Sequence, residues 1–200
     1  MTWIRTVPYT EATGRPKDLY HRIKGPDENV DNIMVAHSLR PHTMDGHLAL
    51  YKNVLHHSAN RLPRWFVECL GVYVSLLNGC DYCVEHHREG MRRRLGDDAR
   101  AEEVMRALES GDLGDVFTRK ELVALSYARC LTKTPADIGE GDVAALREAG
   151  YDDGEVLEVN QIVSYFAYAN RVVLGLGVST DGDVLGLSPS SEAPDDWSHR

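Results

Sequence analysis

The sequence predicts an all-α fold of about seven or eight helices. Apolar residues recur at intervals of three and four along several segments, as they do on the buried face of an amphipathic helix. The longest such segment runs from Asp153 to Leu174. Helix start and stop signals separate the segments, and no segment alternates convincingly between apolar and polar residues as a half-buried strand does. With 200 residues, the chain is long enough to bury a substantial core.

The predicted helices begin and end at recognisable residues. Pro41 suits the first turn of one helix, and Thr118 opens another, with Glu121 three positions on as a capping box. Asp97 or Asp98 caps a further helix directly after Gly96 ends the one before it. The predicted helices span approximately residues 29–38, 41–57, 63–78, 80–95, 99–109, 118–133, 143–149 and 153–174.

The two ends of the chain lack this periodicity. Residues 1–25 contain Pro8, Gly14 and Pro16 and are predicted to form an extended N-terminal arm. Residues 179–200 are rich in Gly, Ser, Pro and Asp and are predicted to form an irregular C-terminal tail. The helical domain is therefore expected to span residues 26–178.

Composition narrows the possible partners and compartment. The formal net charge is −9 and no long basic block offsets it, so neither a nucleic acid nor an anionic membrane is expected as a partner. Residues 1–20 show no apolar core of a signal peptide, and no apolar run approaches the roughly 20 residues of a membrane span. Four cysteines in such a chain favour a reducing, cytoplasmic location, where a close cysteine pair is redox-active or metal-binding more often than structural.

One stretch carries most of the candidate chemistry. It contains Glu68, the Cys-x-x-Cys pair Cys80 and Cys83, and His87 four residues beyond the second cysteine. A thiol is a weak nucleophile until it loses its proton, so a reactive cysteine needs a base or a positive local field. A second thiol can close a disulfide once the first is oxidised. A carboxylate behind the histidine can fix its tautomer and accept its proton.

Two antiparallel helices joined at residues 78–79 would bring these groups together. Glu68 lies roughly 15 Å before the turn and His87 roughly 10 Å beyond Cys80, at 1.5 Å per residue, so the two face each other at similar heights. Cys80, Cys83 and His87 share one helix face, and both cysteines fall in the first turn, where the helix dipole favours a thiolate. If Glu68 is buried against His87, we expect desolvation to raise the pKa of Glu68 and make it a usable base.

This spacing of Glu68, Cys80, Cys83 and His87 resembles the signature of the AhpD-like alkylhydroperoxidases, within the carboxymuconolactone decarboxylase superfamily. The subgroup called peroxidase-related proteins is the most similar, over most of residues 30–178. The resemblance includes Asn-Gly-Cys-Asp-Tyr-Cys at 78–83, Leu-Arg-Glu-Ala-Gly at 146–150 and the Asn-Arg pair at 170–171. It implies an AhpD-like helical fold that assembles into homo-oligomers, as dimers, trimers or hexamers.

The resemblance also implies a role for each residue. Cys83 would attack the hydroperoxide, Cys80 would be the resolving thiol, and His87 and Glu68 would form the proton relay that activates Cys83. The chain is thus expected to be a thiol-dependent peroxidase acting in antioxidant defence, with a small hydroperoxide as substrate. An external dithiol or a lipoylated protein would be the reductant, and no cofactor or metal is expected.

One position departs from the family pattern. Founding members have a histidine directly before the second cysteine, where this chain has Tyr82. A tyrosine, with an ordinary pKa near 10, cannot relay protons at neutral pH as an imidazole does. The peroxidase rate and the natural substrate are the properties that this change puts in question.

Alternatives remain open at this point. A lactone decarboxylase or related isomerase on the same scaffold would not need the cysteine pair, and a redox-sensing oligomer would use the disulfide to switch assembly. A zinc site is disfavoured because His86 and His87 point about 100° apart on a helix and cannot both join the cysteines. Cys69 and Cys130 are expected to be small core residues. The other histidines considered show no convincing ligand spacing, namely His37, His42, His47, His56 and His57.

Overall fold

The computed structural model describes residues 2–189, which contain nine α-helices and no β-strand. The predicted all-α class is confirmed for this part of the chain, with one helix more than expected. The helices are α1 (Gly14–Ile23), α2 (Asn32–Ala36), α3 (Pro41–Tyr51), α4 (Arg64–Asn78), α5 (Asp81–Leu95), α6 (Asp98–Ser110), α7 (Arg119–Lys133), α8 (Glu140–Glu148) and α9 (Asp153–Leu176).

Helix α1 lies inside the segment predicted to be an extended arm, so that prediction is wrong for Gly14–Ile23. Pro16 falls in the first turn, where a proline removes no intrahelical hydrogen bond. The helix buries a short stripe of Leu19, Tyr20 and Ile23 and packs on α3. A stripe of little more than one turn is too short for periodicity to reveal a helix in the sequence.

Helix α4 is the centre of the molecule. Every residue from Phe66 to Ser75 is buried, and α5, α7 and α9 pack around it. A helix that is apolar on all sides belongs in a core rather than on a surface. Glu68 is the one charged residue in this buried stretch, so its carboxylate must find its partner inside the protein.

The predicted turn between α4 and α5 is confirmed. Gly79 takes a left-handed conformation (φ 69°) that ends α4, and its Cβ-free backbone makes that conformation inexpensive. Cys80 is the N-cap residue of α5, and its backbone N–H donates to the carbonyl of Ser75 at 2.9 Å. Helix α5 therefore returns along α4, with both cysteines at its start.

The chain beyond α9 folds back over the helices. Residues 179–189, named here the C-terminal strap, contain no helix and run past α2 and α5. The side-chain amide of Asn32 donates to the carbonyls of Ser179 and Asp181, at 2.9 and 3.0 Å. The remainder of the predicted tail, residues 190–200, lies outside the described residues. Among residues 2–189, no helix has the length and apolar character needed to cross a membrane.

Candidate active site

The structure brings Glu68 and His87 into direct contact. The Nδ1 atom of His87 lies 2.6 Å from Oε2 of Glu68, and the Glu68 residue is 5% exposed. A carboxylate at this distance accepts the Nδ1 proton and so fixes the imidazole in the tautomer with a bare Nε2. His87 can then take or give a proton at Nε2.

The expected rise in the pKa of Glu68 is wrong. Burial alone would raise that pKa, but the charge and hydrogen bond of His87 together outweigh it, and the pKa of Glu68 lies below its ordinary value. The carboxylate therefore stays ionised at neutral pH. An ionised carboxylate in this position can orient His87 and stabilise an imidazolium, and the imidazole is then the member of the pair that is able to exchange protons.

Two close approaches hold this pair in place, and sequence reasoning missed both. A Cβ atom on Gly90 of α5 would lie 3.0 Å from Oε2 of Glu68, so the absence of a side chain makes room for the carboxylate. A Cβ atom on Gly71 of α4 would lie 2.2 Å from the Phe166 ring, which meets the His87 ring edge to face at a centroid distance of 4.6 Å. Glycines at positions 71 and 90 thus let α4, α5 and α9 converge on one imidazole.

The two predicted redox cysteines are adjacent and reduced. Their sulfur atoms lie 3.0 Å apart, and both residues are buried. A disulfide bond is about 2.05 Å long, so closing it requires roughly 1 Å of approach. The spacing predicted from the Cys-x-x-Cys motif is therefore compatible with a reversible disulfide.

The two thiols do not share the charge equally. The pKa of Cys80 is lowered because its sulfur can accept hydrogen bonds from the Cys83 thiol and from the Cys83 backbone N–H. The pKa of Cys83 is raised by its hydrogen bond with Cys80 and by burial. The first proton lost thus leaves its charge on Cys80, contrary to the expectation that the first helical turn favours a thiolate at both positions. The pair titrates as a unit.

Ser75 and Asn170 support the cysteine pair from outside the motif. Nδ2 of Asn170 donates to Oγ of Ser75 at 3.0 Å, and Oδ1 of Asn170 accepts from Asn78 at 2.9 Å. The Asn170 side chain also hydrogen-bonds toward both sulfurs and favours their thiolate forms. Asn170 thus ties the C-terminal half of α9 to the turn that carries the cysteines.

A small cavity joins the acid–base pair to one of the thiols. It has a volume of about 50 Å³, and its walls include Glu68, Cys83, His87, Asp31 and Tyr82. Such a space holds only a few water molecules, since one water needs about 10–15 Å³ by this measure. Cys80 is not among the lining residues, so Cys83 is the thiol that faces the cavity.

Tyr82 connects the cavity wall to the C-terminal strap. Its hydroxyl donates to Oδ2 of Asp183 at 2.7 Å and accepts from the Ile33 backbone N–H at 3.2 Å. Nε2 of His86 lies 3.2 Å from the same Asp183 oxygen. Asp183 lies outside the predicted helical domain, and nothing in its sequence context marked it as part of the site.

The predicted objection to a zinc site is supported by the directions of the two histidines. His86 contacts Asp183, whereas His87 contacts Glu68, and neither contact involves the cysteines. In the part of the chain that the structure describes, no group of three or more His, Cys, Asp or Glu residues is arranged to hold a metal ion. His37 and His47 do approach each other, with ring centroids 5.1 Å apart. Cys69 is fully buried in α4, and burial raises its pKa, as fits an inert core thiol.

Comparison with known proteins gives a family match over the segment that contains the cysteine pair. The model of the carboxymuconolactone decarboxylase family matches residues 41–119, which contain all four predicted site residues. The uncharacterized protein YdfG of Bacillus subtilis (strain 168) is 22% identical over 141 residues, covering 70% of this chain and 91% of that protein.

Two solved structures share the fold. The alkylhydroperoxidase AhpD core of an uncharacterized peroxidase-related protein from Ralstonia eutropha JMP134 aligns with a TM-score of 0.76 and 20% identity, over 89% of this chain and 91% of that one. A peroxidase-related protein of Silicibacter sp. TM1040 aligns with a TM-score of 0.72 and 22% identity over the same shares.

Fold and motif together define an all-helical protein with a Cys-x-x-Cys pair at the start of a core-packed helix. The segment that holds the motif matches the carboxymuconolactone decarboxylase family model, and the chain has the fold of the AhpD-like, peroxidase-related proteins. The family resemblance predicted from the motif is therefore confirmed.

Proposed function

We propose that this protein is a thiol-dependent peroxidase that reduces small hydroperoxides. The observation that carries the proposal is the cavity shared by Cys83, His87 and Glu68, with Cys80 in sulfur contact behind Cys83. An attacking thiol, a base held in one tautomer and a resolving thiol are the groups that such a reaction requires. The family fold supports the same reaction class.

In the proposed reaction, the His87 imidazole takes one proton from the cysteine pair and becomes an imidazolium. A proton then passes from Cys83 to Cys80 across their 3.0 Å contact, so that the negative charge lies on Cys83. The Cys83 thiolate attacks one oxygen of the peroxide, the O–O bond breaks, and the departing alkoxide or hydroxide takes a proton from the His87 imidazolium. Cys80 then attacks the Cys83 sulfenic acid, which releases water and forms the disulfide. An external dithiol reduces the disulfide by exchange, and an alcohol or water leaves the site.

Cysteine replacements test this order of events. With dithiothreitol as reductant, Cys83→Ser should abolish peroxide consumption, whereas Cys80→Ser should consume at most one equivalent per chain and leave a sulfenic acid at Cys83. That acid is detected by dimedone labelling and peptide mass spectrometry. Cys130→Ser, on the partly exposed face of α7, is the matched control and should keep full activity. Equal turnover in the Cys80 and Cys83 variants would end this mechanism.

A second reaction remains worth testing because the matching family model is that of the carboxymuconolactone decarboxylases. Lactone decarboxylation or isomerisation needs no redox thiol. Activity on a lactone substrate that survives the Cys80→Ser/Cys83→Ser double replacement, in the absence of peroxide turnover by the parent protein, would favour this alternative. A change of oligomer size on oxidation, again without peroxide turnover, would favour a redox-sensing role.

A further inference from the structure

The C-terminal strap forms part of the cavity wall. Gly186 and Leu187 line the cavity opposite α4, together with Asp31 and Met34 near α2. Its backbone is held at several points along α5, where the Arg93 guanidinium donates to the carbonyls of residues 185 and 186 at 3.1 and 3.2 Å. The strap therefore closes a space that the helices alone leave open on this side.

Asp183 is the buried charged anchor of the strap. Its side chain is only 2% exposed, and its carboxylate meets Tyr82 Oη at 2.7 Å, His86 Nε2 at 3.2 Å and the Asn32 backbone N–H at 3.1 Å. Hydrogen bonds to a buried carboxylate are stronger than neutral ones, and their loss would leave several donors unpaired. The Arg93 guanidinium is half-exposed, so water competes for its bonds to the strap carbonyls and these bonds contribute less.

The volume of the cavity sets a limit on the substrate. A cavity of about 150 Å³ is the size that accommodates a benzene ring. At about 50 Å³, the space beside Cys83 accepts hydrogen peroxide or a short alkyl hydroperoxide but has no room for an aryl or long-chain one. A larger substrate reaches Cys83 only if the strap moves.

We propose that Asp183 is the specificity-determining residue of this site: by fastening the strap to Tyr82 and His86, it restricts the cavity to small hydroperoxides and excludes bulky organic ones. The inference rests on the proposed function for the identity of the substrate. It also gives a role to Tyr82, which holds the strap rather than relaying protons. The exclusion of large reagents from Cys83 follows from the geometry alone.

The hydrogen bonds of Asp183 to Tyr82, His86 and Asn32 are called the latch below. Thiol labelling tests this latch without reference to peroxidase activity. Reduced protein is treated with iodoacetamide or with the bulky N-(1-pyrenyl)maleimide, and labelling at Cys83 is followed by peptide mass spectrometry. Asp183→Ala should raise the rate with the pyrenyl reagent by a factor on the order of ten, because loss of charged hydrogen bonds shifts local opening by about that factor. The rate with iodoacetamide should rise much less.

The matched control is Asp181→Ala. This residue lies on the same strap and is exposed, and its carboxylate accepts a hydrogen bond from the Ser179 hydroxyl at 2.8 Å. Its replacement therefore removes the same charge while the latch is kept. It should leave both labelling rates within about twofold of the parent. An unchanged ratio of the two rates in Asp183→Ala, or an equal increase in Asp181→Ala, overturns the proposal. If Asp183→Ala does not fold, as judged by circular dichroism, the same ratio in Tyr82→Phe decides the question, with an expected rise of about threefold.

Peroxide kinetics then separate the two proposals. The ratio of kcat/KM for cumene hydroperoxide to that for hydrogen peroxide should rise on the order of tenfold in Asp183→Ala. A parent protein that consumes no peroxide refutes the proposed function, while the labelling ratio still tests the latch. A parent that consumes both peroxides, with ratios that do not respond to Asp183, refutes the latch alone.

Discussion

At the scale of single residues, Glu68 determines which nitrogen of His87 carries the proton. The carboxylate accepts from Nδ1 at 2.6 Å inside the core, and its lowered pKa keeps it ionised. In the proposed mechanism the imidazole is therefore the group that exchanges protons, with Nε2 as its reactive atom. This arrangement depends on the position of Oε2 of Glu68, for which the missing side chain of Gly90 leaves room.

Gly90→Ala should impair catalysis without unfolding the protein. The added methyl group meets Oε2 of Glu68 at 3.0 Å and must displace it, while alanine is favoured over glycine inside a helix by about 1 kcal/mol. We expect peroxide kcat/KM to fall by about 10- to 100-fold, the range for a misplaced acid–base group, with little change in the urea midpoint.

Gly46→Ala is the control for that replacement. Gly46 also lies inside a helix, α3, but a Cβ atom there meets nothing within 4 Å. Its alanine variant should gain about 0.5–1 kcal/mol of stability and keep its activity. Wild-type kinetics in Gly90→Ala would show that the exact position of the Glu68 carboxylate does not matter.

At the scale of elements, the site depends on how closely α9 packs on α4. The Phe166 ring of α9 fills the space above Gly71 of α4 and reaches the edge of the His87 ring on α5. Three helices therefore share one aromatic contact. Any change that separates α4 from α9 should move His87 as well.

Gly71→Ala should be strongly destabilising. Its Cβ atom would lie 2.2 Å from the Phe166 ring, and overpacking of this kind costs typically 1–3 kcal/mol. The loss is measured as the free energy of unfolding in urea. Because the clash is with Phe166, the double variant Gly71→Ala/Phe166→Leu should lose less than the sum of the two single variants. Strict additivity would contradict the contact.

At the scale of the whole molecule, two buried titratable groups link stability to pH with opposite signs. Burial lowers the pKa of His47 to about 3, so below the ordinary value near 6.5 the unfolded chain binds a proton that the folded chain does not, and stability falls as the pH falls. Burial, opposed by His86 and reinforced by Asp183, raises the pKa of Asp31 to about 6. The folded chain therefore takes up a proton below pH 6, and this contribution favours folding as the pH falls.

His47→Gln separates the two contributions. The stability lost between pH 7.5 and 5.0 should be smaller in this variant than in the parent by about 2 kcal/mol, measured by urea unfolding at both values. His42→Gln, at an exposed position of the same helix, is the matched control and should show the pH dependence of the parent. If His47→Gln lost as much stability between pH 7.5 and 5.0 as the parent, the buried imidazole would not resist protonation.

Homo-oligomeric assembly stays a prediction at this scale. Helix α9 exposes Leu157 (55%) and Tyr168 (39%), which lie eleven residues apart and nearly in line on its surface. Light scattering after size exclusion should give a multiple of the monomer mass, and Leu157→Glu should reduce it. Ile4→Glu, an exposed apolar position in the N-terminal segment, should leave the mass unchanged. A monomeric parent at tens of micromolar would refute the prediction.

The sequence was sufficient for the features that are local along the chain. The helix ends at Asp97, Thr118 and Gly79 follow from capping and turn chemistry, and the spacing within 68–87 places Glu68 against His87. The contributions that it did not reveal come from distant segments. Asp183 reaches the site through tertiary packing, and the pKa of Glu68 depends on whether burial or the imidazole dominates, which spacing cannot decide.

The cysteine pair also has a consequence for the rest of the fold. A cross-link between positions three apart closes a very short loop, so it restricts the unfolded chain little and stabilises the protein by about 2 kcal/mol at most, far less than a long-range bridge. Both sulfurs sit at one end of a single helix and tie no two distant elements together. Repeated oxidation and reduction could therefore proceed while the surrounding helices remain in place, which suits the redox role proposed for the pair.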